Sequence, residues 1–275
     1  MKKFLCILIS DIVAIMLVLL AINLTIKDIL VDTISEIIIK REISDMVTDI
    51  IYRECPDINS VDIMKIDEVI QNSSKVKDIT DKYFSNIMGA INENDDDYLD
   101  IDDELENLIE NNRDKLEDFG LSDDKIDKIS KDISSSNRVS ETYEIVKDNV
   151  RYNLTDEQKR IVNIYNILNS NSLRDGLIIG IVLGIIIIGG LSLKKFSFII
   201  YTGISSFIAG LFVRFGVINI IKMFAWEVTN KVLGRTSDIY LDSLCNISRC
   251  YIVIGVLLII IYLILRKISN RKENL

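Results

Sequence analysis

Four stretches of this chain are apolar for long enough to be membrane helices. A hydrocarbon core of about 30 Å takes roughly 20 mostly apolar residues in a helix. The first stretch is 4–26, Phe4 to Ile26 (FLCILISDIVAIMLVLLAINLTI). The second is 176–193, Gly176 to Leu193, and the third is 197–213, with an extension to 221 open. The fourth is 249–265, whose apolar core is Tyr251 to Leu265. They leave residues 1–3 before the first span, a long segment 27–175, a second connection 222–248 read as a loop or interfacial helix, and a basic tail 266–275.

The charges flanking these spans give an orientation. Lys2 and Lys3 precede the first, Lys194 and Lys195 sit between the second and third, and Arg266, Lys267, Arg271 and Lys272 follow the fourth. With four spans all three clusters fall on one side, which the positive-inside rule makes cytoplasmic. The expected topology has both termini inside and 27–175 outside, in a plasma membrane. Met-Lys-Lys followed by an apolar run also opens a secretory signal peptide. This run is longer than the usual 7–15 residues of such a segment, and no Ala-x-Ala-like site follows it. An uncleaved anchor is the expectation.

In 27–175 the apolar period changes from continuous to helical. Leu30, Ile34, Ile37, Ile38, Val47, Ile50 and Ile51 recur mostly at spacings of three, four and seven. Pro56 should end that stripe, because the residue before a proline is pushed out of the α region. Shorter helices are expected near 60–71, 75–91, 99–118 and 122–134. Gly120-Leu121-Ser122 should stop one helix and cap the next. Thr155-Asp-Glu-Gln158 has the capping-box pattern and opens a stripe through Ile161, Ile164, Tyr165 and Leu168. No run shows bounded alternation of period two. The fold class expected is therefore an all-α membrane protein, with four transmembrane helices and an acidic α-helical extracellular bundle between the first and second. In architecture alone the layout resembles the membrane-flanked helical sensor domains of bacterial receptors. No motif carries that likeness, and the cytoplasmic segments expected here are only a few residues each.

Charge sharpens this picture. The 275 residues carry a net −9. Residues 27–176 hold 36 acids and 19 bases, a net −17, and the remainder is +8. An acidic segment so placed is unsuited to nucleic acid, whose phosphates need Lys/Arg surfaces. It suits cations or basic protein surfaces. There is no histidine, which removes His general acid–base catalysis, His-dependent triads and His metal sites. The four cysteines form no CxxC, so no zinc or iron–sulfur framework is expected. The wording, rich in Ile, Asn and Lys and poor in Pro and His, suggests a bacterial source.

Several constellations stand out. Residues 93–124 hold 15 acids and 2 bases. Within that window Asn92, Asn94, Asp96, Asp100 and Asp103 can be laid on a calcium loop, with Leu99 at the apolar position. Asp97 occupies the place of the turn glycine, Asn92 replaces the first Asp, and Asp103 is shorter than the usual Glu. A solvated acidic loop is the plainer reading, and Ca²⁺ or another divalent cation is the only cofactor considered. Gly176, Gly180 and Gly184 share one face of the second span, and Gly203, Ser206 and Gly210 one face of the third. Small residues there let backbones approach, so close packing of spans two and three is expected, with dimerisation or a gating contact as the alternative. Asp11 and Arg214 are intramembrane charges, functional by default. Their depths differ by roughly 15 Å at 1.5 Å per residue, too far for a pair. Cys245 and Cys250 are the candidate disulfide, at a separation that often gives poor geometry.

The function expected from these features is non-catalytic. The chain reads as a multi-pass protein, sensor-like, a scaffold or an accessory subunit, whose acidic ectodomain binds an extracellular partner or cation. Its partners are membrane lipid and a second protein or a second copy. The alternative is a small channel or transporter with an extracellular cap.

Overall fold

In the computed structural model of the chain, residues 2–34, 40–90, 101–136, 141, 144, 147–148, 155–192, 196–232 and 239–273 are described. All regular structure among them is helical. Their contacts divide the chain into two units. One is Met1–Ile29, Asn163–Ala225 and Tyr240–Leu275; the other is Leu30–Val162 and Trp226–Ile239.

The first unit is built from four long apolar helices. Helix α1 (Lys2–Ile34) has Asp11 as its only charge between Lys3 and Lys27. After the helical unit come α8 (Asp156–Leu168) and α9 (Asn171–Leu191). The Ser170 side chain caps α9 by accepting from the Leu173 amide at 3.2 Å. Asn23, buried on α1, donates to the carbonyls of Leu168 at 2.6 Å and Ser170 at 3.1 Å. It thereby satisfies acceptors that the end of α8 leaves open. Helix α10 (Ser197–Phe212) passes through a π turn (Val213–Val217) into α11 (Ile218–Glu227) and a second π turn (Val228–Val232). Helix α12 (Asp242–Glu273) closes the unit. Of the stretch 222–248, α11 and its π turn therefore take residues up to Val232, and α12 begins at Asp242.

Four runs are long and apolar enough to cross a membrane: Lys2–Thr33, Asn171–Leu191, Ser197–Asn230 and Asp242–Ser269. At 1.5 Å per residue the third is about 50 Å long, well beyond the hydrocarbon thickness. Most of their apolar side chains face outward. Ile254, Leu257, Ile261 and Ile264 of α12 are all exposed. In water such surface would be an association hazard; in lipid it is solvated.

The tightest pairing is α10 against α12, which run antiparallel. A Cβ on Gly255 would lie 2.6 Å from the Phe207 amide nitrogen and 2.8 Å from the Gly203 carbonyl oxygen. One on Gly210 would lie 2.9 Å from the Ile252 nitrogen and the Ser248 carbonyl. Ser206 donates to the Tyr251 carbonyl at 2.9 Å, and Ser248 to the Gly210 carbonyl at 3.0 Å.

The second unit is a bundle of shorter helices: α2 (Lys40–Glu54), α3 (Ser60–Gln71), α4 (Ser74–Ala90), α5 (Asp102–Glu110), α6 (Arg113–Asp118) and α7 (Asp123–Ser134). Each turns one stripe inward. Ile43, Val47 and Ile51 of α2 face Ile63, Ile66 and Ile70 of α3 and Ile126, Ile129 and Ile133 of α7, all buried. Tyr83 and Phe84 of α4 and Leu105 and Leu108 of α5 fill the other side. Helix α2 stops just before Cys55-Pro56, as Pro56 requires. Asn59 caps α3 by accepting from the Asp62 amide at 2.9 Å. Gly120, at φ +88°, ends α6 with two bonds, Gly120 N to the Glu117 carbonyl and Leu121 N to the Leu116 carbonyl. That is the left-handed stop only glycine adopts freely. The sequence reading of one helix over 99–118 becomes two. Buried Asn112 donates to the Leu108 carbonyl at 2.8 Å, competing with the helix ladder at the break. The capping box also forms: the Thr155 amide donates to Gln158 Oε1 at 2.7 Å, and the Gln158 amide to Thr155 Oγ1 at 3.3 Å.

The Gly255 seam can be tested directly. Gly255→Val should cost about 1–3 kcal/mol or more, because the added atoms meet backbone that cannot give way. Gly176→Ala, where a Cβ meets nothing within 4 Å, should be neutral or stabilising by up to about 1 kcal/mol from helix propensity. Thermal unfolding of the two variants in detergent would separate them.

Candidate functional site

The glycines singled out in the sequence serve two different contacts. Gly180 and Gly184 of α9 face α1. A Cβ on Gly184 would lie 2.5 Å from Val13 Cγ2, and one on Gly180 would lie 2.8 Å from Met16 Sδ. Gly203, Ser206 and Gly210 face α12 instead, and Gly176 faces open space. Helices α9 and α10 do touch, but these small-residue faces do not meet. The expected seam between spans two and three is thus divided between α1 and α12. A third polar contact ties α1 to α10, where the Ser10 and Ser205 hydroxyls lie 2.7 Å apart, buried. Ser205 also reaches the Ser10 carbonyl at 2.8 Å.

Sequence reading missed Ser248, Gly255, Ser10 and Ser205. A signal was there for two of them: Ser248 and Gly255 repeat the seven-residue spacing of Gly203 and Gly210.

The intramembrane charges both point away from neighbouring helices. Asp11 is exposed on the face of α1 that carries Phe4, Leu8 and Ile15. Arg214 is exposed within the first π turn. Cys245 and Cys250 carry free thiols. Both sit on α12, where five residues turn the side chains about 140° apart, so the helix itself keeps the expected disulfide from closing.

Of the calcium-loop residues, Asn92, Asn94, Asp96 and Asp100 lie outside the described residues, and Asp103 stands exposed in the first turn of α5. Among the described residues no group of three or more Cys, Asp or Glu is placed to hold a metal ion.

The ionic surface of the helical unit is more informative. Arg53 bonds Glu54 at 3.1 Å and also pairs with Asp132, and Lys128 pairs with Glu54. The hydrogen bond from Lys128, then that from Arg53, hold the Glu54 carboxyl below the usual range. Lys65 does the same for Asp62 at 3.0 Å. Lys82 pairs with Glu104. Arg113 binds Glu110 at 2.7 Å and Asp123 at 3.0 Å and pairs with Asp127, which raises the guanidinium's proton affinity further. Glu117 is the exception. Its hydrogen bond to Asp123, then the charges of Asp123 and Asp114, push its carboxyl above the ordinary value. Here carboxylates crowd one another at the α6–α7 junction, on an exposed face.

The chain matches no protein-family model, no curated protein and no solved structure.

Glu54 and Glu117 should respond to pH with opposite signs. A carboxyl with a raised folded pKa destabilises increasingly as pH rises through that pKa; one with a lowered pKa stabilises above the unfolded value and is lost as pH falls through the folded one. Glu117→Gln should therefore raise the melting temperature at pH 7, with the gain fading toward the unfolded value near 4.5. Glu54→Gln should lower it at pH 7, and that loss should shrink as pH falls below 4.5 and vanish once pH has passed the lowered folded value. Melting curves of the full chain at several pH values read both.

Proposed function

We propose that the protein is a non-catalytic, multi-pass plasma-membrane protein of a bacterial cell. Both termini face the cytoplasm, and the acidic helical unit lies outside, where it captures a basic protein surface or a cation. The observation that carries this reading is the crowding of Glu117 against Asp123 and Asp114, within a window of 15 acids and 2 bases. A carboxylate held up by its neighbours is one that an incoming ammonium, guanidinium or metal cation relieves. Asp11 supports action through a protein in the bilayer, because an exposed carboxylate on a span calls for a polar partner.

The channel alternative draws less support. The buried hydroxyls of Ser10, Ser205, Ser206 and Ser248 bond within the helix seams. They are used in packing rather than left to line a path.

The test uses the full chain in phosphatidylcholine nanodiscs and a fluorescent decalysine peptide. Binding should weaken with salt. Combined Asp114→Asn, Glu117→Gln and Asp118→Asn should lower affinity about tenfold, three exposed ion pairs at roughly 0.5 kcal/mol each. Millimolar Ca²⁺ that displaces the peptide assigns the face to cations. Salt-independent binding unchanged by the triple variant overturns the reading. Asp118→Cys should be labelled on intact cells by an impermeant maleimide, and its protection would overturn the outside placement. Conductance in vesicles that changes with Asp11→Asn would favour the channel instead.

A further inference from the structure

One end of the membrane unit holds a cavity of about 380 Å³. It is lined from α1 by Lys2, Lys3 and Cys6, from the end of α9 by Leu191 and Ser192, from the first turns of α10, and from α12 by Tyr262. Among the described residues no carboxylate lines it, so Lys2 and Lys3 face it without a described counter-charge. Behind them Cys6, Leu191, Ile200 and Ile204 make an apolar wall.

A further observation points to an anion. Helix α10 begins at Ser197 after Phe196, whose φ is +66° and whose side chain offers no cap. The first amides of this 16-residue helix therefore have no side-chain acceptor from the N-cap position, the arrangement that attracts phosphate.

We propose that this cavity binds an anionic phospholipid. The phosphate sits between the Lys2 and Lys3 ammoniums and the start of α10, and an acyl chain runs along Ile200 and Ile204. The apolar wall decides between a lipid and a free phosphate ion: a hydrated ion gains nothing from it, whereas an acyl chain does. Basic recesses between membrane helices are suited to such headgroups. The proposal stands on the membrane-spanning character of the unit and is independent of what the acidic unit captures.

The experiment is native mass spectrometry of the full chain from nanodiscs of phosphatidylcholine doped with phosphatidylglycerol. One anionic lipid should be retained per chain, in preference to phosphatidylcholine. Lys2→Gln with Lys3→Gln should weaken retention about 30-fold, since a lysine near anionic lipid contributes roughly a factor of five. Arg266→Gln with Lys267→Gln carries the same charge change outside the cavity and should leave retention nearly intact. Ile200→Trp fills the wall without touching charge and should weaken it as well. Three results would overturn the proposal: equal retention of both lipids, equal losses in the two charge variants, or displacement of the lipid by inorganic phosphate at millimolar concentration. The last would make the site one for a free anion.

Discussion

Apolar side chains gain nothing by leaving lipid tails for one another, so membrane helices associate through close approach and polar contacts. Everything in the membrane unit follows from that constraint. Helices α10 and α12 meet where side chains are missing, at Gly203, Gly210 and Gly255, and the serines beside them bond to the facing backbone. The α1–α9 contact uses Gly184 under Val13, and the α1–α10 contact uses the Ser10–Ser205 pair. The large residues are left to face the surroundings, which explains why so much Ile and Leu surface lies exposed on α12.

The helical unit obeys the opposite rule. There, water makes burial the driving force, and the core is an Ile-rich interior closed by Tyr83 and Phe84. Its bases are largely engaged. Arg113 alone serves three carboxylates. What remains is a surplus of acids at the α6–α7 junction, where Glu117 shares Asp123 with Arg113. Exposed ion pairs contribute little to stability individually. An acidic face of this kind can steer cations over distances of about a Debye length.

Much of the architecture was legible in the residues themselves. Continuous apolar runs mark the spans because lipid demands them, whichever helix lies next door. Local rules were equally readable: Pro56 ending α2, Gly120 ending α6, and the Thr155–Gln158 box opening α8 all act through backbone geometry within a few residues. The break at Asn112 was not legible, because an asparagine's choice between the ladder and its own side-chain bond depends on burial.

The sequence by itself determined which segments are apolar, where helices start and stop, and that the acids are gathered between the first two spans. Those properties depend on residue type and near neighbours. Only the tertiary structure decided which glycine face meets which helix, that Asp11 points outward, that Glu117 reaches Asp123, and that Lys2, Ser192, Ser197 and Tyr262 surround one cavity. These are matters of helix rotation about its axis and of pairing between distant segments. A seam of small residues shows that something approaches closely, but any smooth helix can be the one that does.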